Sequence, residues 1–256
     1  MITVRHSLAA GTVALVVMLT ALGATVHLGL SAWGAGLGCG LLVFGAVGRG
    51  VAQSRIRTFG PADLVTLSRA TLACVIAAVV AQAYPHGSSR STLVALAVLA
   101  LLLDAADGRV ARRTGTSSAF GARFDGEVDA FLLMVLSVYV AHGVGWWVLG
   151  IGAARYLFAA AGWVLPWMCR ELPPRYWRKV VTAVQGIALT WAAAEVSPPA
   201  VVALGVAAAL ALLLESFGRD VVWLWVRRDR RAALGRPVSP FDRDEPVTAA
   251  LSGQQP

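Results

Sequence analysis

The sequence is short of charge, and within its charged set lysine is almost missing. Only 14 % of the 256 residues are Asp, Glu, Lys or Arg, and Lys179 is the only lysine. Hydrophobic residues make up 57 % of the chain and the mean hydropathy is +0.69, with apolar runs of membrane-spanning length from end to end. Those figures predict an all-α, polytopic membrane helix bundle. Cysteine is also scarce. Cys39, Cys74 and Cys169 are scattered beside apolar runs, without CxxC or Cys/His metal spacing, and read as packing residues. There is no repeat of about 20–50 residues, no Gly-rich phosphate loop and no dinucleotide fingerprint. Nothing supports a catalytic histidine, since His142 falls on the outer side, far from the acidic stretch described below.

What charge there is has a pattern. The net charge of +8 is carried almost wholly by arginine, gathered in short segments between apolar runs rather than in one block. Positive-inside topology explains that distribution better than nucleic-acid binding does. Eight spans can be drawn, at about 7–30, 32–52, 63–83, 91–110, 120–140, 146–166, 179–194 and 199–225. The first is too long for a cleaved leader and reads as an anchor that stays. With both termini in the cytoplasm, every basic loop lands inside, including the clusters at Arg109, Arg112 and Arg113, at Arg175 and Arg178, and after Trp225. Residues 229–256 are polar and aperiodic, and disorder is expected there.

The chemistry concentrates in DAADGRVARRTGTSSAFGARFDGEVD, residues 104–129. Asp104, Asp107, Asp125 and Asp129 stand at the ends of two spans that form a hairpin. A charged side chain inside a membrane segment costs about 2.5–3.5 kcal/mol on insertion scales, so such a cluster needs a cation among its members. Residues three or four apart share a helix face, so the acids form two pairs facing one another. Oxygen donors without Cys or His suit Mg²⁺ or Mn²⁺ rather than zinc. Gly108, Ala111 and Gly121 lack bulk beside them and leave room for a ligand or a neighbouring helix.

Eight of these positions, Asp104, Asp107, Gly108, Ala111, Arg112, Gly121, Asp125 and Asp129, fit DxxDGxxARx8GxxxDxxxD without a gap, which resembles the CDP-alcohol phosphatidyltransferase family. The resemblance implies a six-helix core, here residues 59–228, preceded by two extra transmembrane helices in residues 1–58. It implies transfer of a phosphatidyl group from a CDP-linked lipid to an alcohol, release of CMP, two bound divalent ions and a homodimer. Carried over by position, Asp104, Asp107, Asp125 and Asp129 are the metal ligands and Asp129 is also the general base. Gly108, Ala111, Arg112 and Gly121 would shape the nucleotide pocket.

Asp63, Thr66 and Arg69 resemble the family's NxxTxxR opening of the first core helix, with Asp in place of Asn. By that resemblance Asp63, Thr66 and Arg69 would be nucleotide contacts; Asp63 reads equally as a helix N-cap, whereas Arg69 lies inside an apolar run, which favours a nucleotide or phosphate contact. Arg155, alone in the sixth span, either pairs with an acid or binds an acceptor phosphate through its guanidinium fork. Lys179, Thr182 and Gln185 resemble a KxxTxxQ element, and Lys179 is equally an ordinary positive-inside residue. Arg219 and Asp220 are expected to pair, with Glu215 one turn earlier, and Glu127 to be solvated or paired with an arginine. Arg155, Lys179, Arg175 and Arg178 together favour a phosphorylated acceptor such as glycerol 3-phosphate or inositol phosphate. A divalent-cation transporter or channel using the same four Asp is the competing reading, but it lacks an acidic path across the bilayer.

Overall fold

The computed structural model describes residues 2–54, 58–86, 90–114, 119–169 and 176–232. The side chains of 107–114 and 227–232 stand outside that description, as do Arg175 and the tail beyond 232. Eight α-helices form, α1 (Val4–Val26), α2 (Leu30–Ser54), α3 (Pro61–His86), α4 (Arg90–Thr114), α5 (Ala119–Val144), α6 (Leu149–Val164), α7 (Tyr176–Ala194) and α8 (Pro199–Ala232). Among the described residues, six of them are long and apolar enough to cross a membrane, and α4 and α7 are the two outside that set. For α7 the reason lies in Arg178 and Lys179 in its first turn and Gln185 midway, which interrupt the apolar run.

Helix α3 is the axis of the bundle. Of its spanning window 78 % is buried, against 17 % for α1, and Arg69 to Val80 is buried without interruption. It opens with Pro61, whose missing N–H is one that a helix start leaves unpaired anyway. Asp63 in its first turn accepts a hydrogen bond of 2.9 Å from the Gly60 N–H, as a carboxylate at a helix start should. One core cluster joins α3 to α4, α5, α7 and α8 through Ile76, Leu93, Leu136, Leu189 and Val206. A second joins the other side of α3 to α1 and α2 through Ala78, Leu15, Leu19 and Phe44.

The turns at one end of the bundle are tied together by polar contacts. The α1–α2 turn passes through His27 at φ 51°, and the Gly29 N–H donates to Gln82 Oε1 on α3 at 2.8 Å. Arg90 at the start of α4 pairs with Glu195 just past α7. Between α5 and α6 the chain turns at Gly145, whose φ of 133° favours glycine. Helices α5 and α6 then approach closely, because a Cβ on Gly152 would lie 2.5 Å from the Met134 Cα.

At the other end a feature absent from the all-α expectation appears. Strand β1 (Ile2–Thr3) pairs antiparallel with β2 (Thr58–Phe59), matching Ile2 to Phe59 and Thr3 to Thr58. Two-residue strands carry no period for a sequence to display. The ribbon fixes the start of α1 beside the start of α3 and buries Phe59, which stacks on Phe120 at 6.3 Å between ring centroids.

Candidate functional site

Arg69 reaches the centre of the site from the buried face of α3 and is only 1 % exposed. Its Nη1 lies 2.9 Å from Asp104 Oδ1 on α4 and 2.5 Å from Asp125 Oδ1 on α5. Its Nη2 donates to Asp129 Oδ1, one turn further along α5. Three helices thus converge on one guanidinium. The planar fork suits this role, since it presents several N–H donors in fixed directions where an ammonium would offer a point charge. Among the described residues, a cation for the acidic stretch is thus supplied from outside that stretch.

One carboxylate oxygen from each of Asp104, Asp125 and Asp129 lies within 4.8 Å of the other two. The donor set fits a hard divalent ion: it is all oxygen, and only part of its charge is compensated. Among the described residues, these three carboxylates and the Arg69 guanidinium together carry a formal charge of −2, with Lys179 near enough to act on Asp104. Each acid also keeps between a fifth and a third of its surface exposed, so oxygens remain open to a ligand. The side chains of Asp107, Gly108, Ala111 and Arg112 lie outside the described residues, and their part in the site is left to the sequence. Gly121, in the first turn of α5, is on the same helix as Asp125 and Asp129.

Asp63 and Thr66 are buried on α3 below Arg69, but their hydrogen bonds are local. Asp63 holds Gly60, and the Thr66 hydroxyl donates to the Ala62 carbonyl at 3.2 Å.

Beside the acid cluster, α5, α6, α7 and α8 enclose a cavity of about 370 Å³. Asp129 belongs to both places: it takes a guanidinium N–H from Arg69 and it lines this cavity. Arg155 lines the cavity too and donates to Glu127 Oε1 at 2.6 Å. Gly126 makes room for it, as a Cβ there would lie 3.3 Å from Arg155 Nη2. Lys179 is exposed and is not among the lining residues, whereas Arg178 is one of them.

Arg178 grips Asp220 with two contacts, Nη2 to Oδ1 at 2.8 Å and Nε to Oδ2 at 2.7 Å. This corrects the expected Arg219–Asp220 pair: Arg219 pairs instead with Glu215 on its own helix. Adjacent residues on a helix point about 100° apart, so Asp220 turns inward to α7 while Arg219 faces out. Gln185, buried in α7, donates to the Ala209 carbonyl of α8 at 2.8 Å and ties the two helices together. Tyr156, Ser216 and Asp220 complete the polar wall of the cavity. For Ser216 and Asp220 the available signal was their i, i+4 spacing, which puts them on one face of α8.

The family model for CDP-alcohol phosphatidyltransferase matches residues 60–215, a segment that begins just before α3 and ends within α8. Neither the curated proteins nor the solved structures give a match to the chain.

Proposed function

The chain belongs to the CDP-alcohol phosphatidyltransferase family, and from that premise we propose that it transfers a phosphatidyl group from CDP-diacylglycerol to a phosphorylated alcohol, such as glycerol 3-phosphate or inositol phosphate. The observation that carries this reading is the double membership of Asp129, which stands in the acid cluster and in the wall of the adjoining cavity. A general base has to touch both the charge centre that holds the donor and the pocket that holds the acceptor.

In this reading Asp104, Asp107, Asp125 and Asp129 would hold two Mg²⁺ or Mn²⁺ ions, which would supply neutralisation of the donor's diphosphate oxygens. Arg69 keeps the carboxylates of Asp104, Asp125 and Asp129 converged on one point and offsets part of their mutual repulsion. Asp129 takes the proton from the acceptor hydroxyl. The acceptor oxygen bonds to the lipid-side phosphorus as the P–O bond to the CMP phosphate breaks, and CMP leaves with the bridging oxygen. Gly108, Ala111, Arg112 and Gly121 border the nucleotide.

Arg155 and Arg178 support a phosphorylated acceptor. Each commits some donors to its carboxylate and retains further guanidinium N–H groups on the cavity side. Lys179 lies outside the wall of that cavity and places its charge close enough to act on Asp104. The arginine distribution supports a cytoplasmic site with both termini on that side, and the homodimer implied by the family is part of the proposal.

The test is CMP release by the purified protein from CDP-diacylglycerol, with Mg²⁺ or Mn²⁺, across a panel of acceptors. Stimulation by a glycerol or sugar phosphate, abolished by EDTA and restored by metal, is expected. Stimulation by serine or a neutral polyol alone would remove the phosphorylated-acceptor reading. Full activity in EDTA would remove the metal site.

A further inference from the structure

A second cavity, of about 540 Å³, lies on another face of α5, within the range of about 300–1,000 Å³ usual for ligand sites. Helix α2 forms one wall and the first three turns of α5 the other, with Tyr156 of α6 at the edge. Most of the lining is apolar, with Val43 and Val47 facing Phe124, Val128 and Phe131. Leu42 on its rim is 74 % exposed, so the groove opens sideways, toward hydrocarbon rather than water.

Where α2 ends and α5 begins, the lining turns polar with Gln53, Ser54 and Arg123, and one turn further along α5 Glu127 also lines it, its carboxylate held by Arg155. Arg123 is exposed and makes no ion pair among the described residues. An apolar groove ending at an unpaired guanidinium has the polarity of one molecule type abundant in its surroundings, a lipid with a phosphate diester above a hydrocarbon chain. Helical phase separates this groove from the reacting lipid. Arg123 and Glu127 share one face of α5, while Asp125 and Asp129 share a face about 200° round the helix.

We propose that this groove binds one anionic phospholipid of the bilayer, with its phosphate on Arg123 and an acyl chain between α2 and α5, separate from the donor that reacts. Helix α2, which forms one wall, precedes the family-matched segment at 60–215, so the groove lies where an added helix meets the matched core. The bound lipid also backs the acceptor cavity, because Glu127 and Tyr156 line both spaces and Glu127 holds Arg155.

The test is native mass spectrometry of the full chain in mild detergent, titrated with dioleoyl phosphatidylglycerol or dioleoyl phosphatidylcholine. Wild type is expected to retain one phosphatidylglycerol in preference to phosphatidylcholine. Arg123→Gln should weaken phosphatidylglycerol retention about tenfold, the loss of one charge-assisted phosphate contact. Ala46→Phe, which fills the groove from an exposed position on α2, should reduce retention of both lipids. Equal retention of the two lipids by wild type, or unchanged retention in Arg123→Gln, overturns the proposal. So does unchanged retention in a folded Ala46→Phe. Arg123 is a surface residue, so its variant decides the matter even if Ala46→Phe does not fold. No transfer reaction is measured, and the result is therefore independent of the proposed activity.

Discussion

Replacing Arg69 by glutamine removes the cation that, among the described residues, pairs with all of Asp104, Asp125 and Asp129, and takes the formal charge of these four groups from −2 to −3. Removing one partner of a buried ion pair costs about 3–5 kcal/mol, because the remaining charge is left uncompensated. The guanidinium is 1 % exposed, which argues for the full effect, while the partial exposure of the acids places the loss toward the low end. At about 2–4 °C per kcal/mol for a chain of this size, the unfolding temperature should fall by about 6–20 °C. Intrinsic tryptophan fluorescence in detergent reads this directly. A divalent ion should then stabilise the variant more than wild type, since binding to the folded state alone raises stability by mass action. Arg69→Lys should fall between the two, keeping the charge but losing the fork. Unfolding of Arg69→Gln within about 2 °C of wild type would refute the reasoning, because a cluster that tolerates its loss is not held by it.

Other outcomes follow from the same geometry. Gly126→Val should push the Arg155 guanidinium off α5 and raise the acceptor KM about three- to tenfold with little change in kcat, a loss of binding shared by ground and transition states. Arg178→Leu should destabilise by about 3–5 kcal/mol by stranding Asp220, and Arg178→Leu/Asp220→Leu should recover much of that in a thermal double-mutant cycle. Gly152→Ala should cost about 1–3 kcal/mol, seen as a lower unfolding temperature, because the atom it meets is Met134 backbone and cannot rotate away.

The sequence made the membrane bundle and its acids legible because apolar runs and the phase of Asp125 and Asp129 are local, periodic properties. What it left open is set by neighbours distant in the chain. Arg69 stood out as a charge in an apolar run, yet its partners lie 35, 56 and 60 residues away and only the fold selects them. The choice of Arg178 for Asp220 over the adjacent Arg219 is likewise a matter of which face α8 turns to α7. Arg155 had two readings, and the structure shows the first, a pair with Glu127, and places the residue in the cavity wall. The β1–β2 ribbon was invisible because two residues give no pattern.

The central claim is that Asp129 takes a proton from the acceptor, and Asp129→Asn tests it most directly, since the amide keeps the size of the side chain and its oxygen toward Arg69 but removes the base. CMP release from CDP-diacylglycerol, measured at saturating metal and acceptor, is predicted to fall by about 10²–10⁴ in kcat, the usual contribution of a general base, while the protein stays folded. Wild-type turnover by Asp129→Asn would contradict the account.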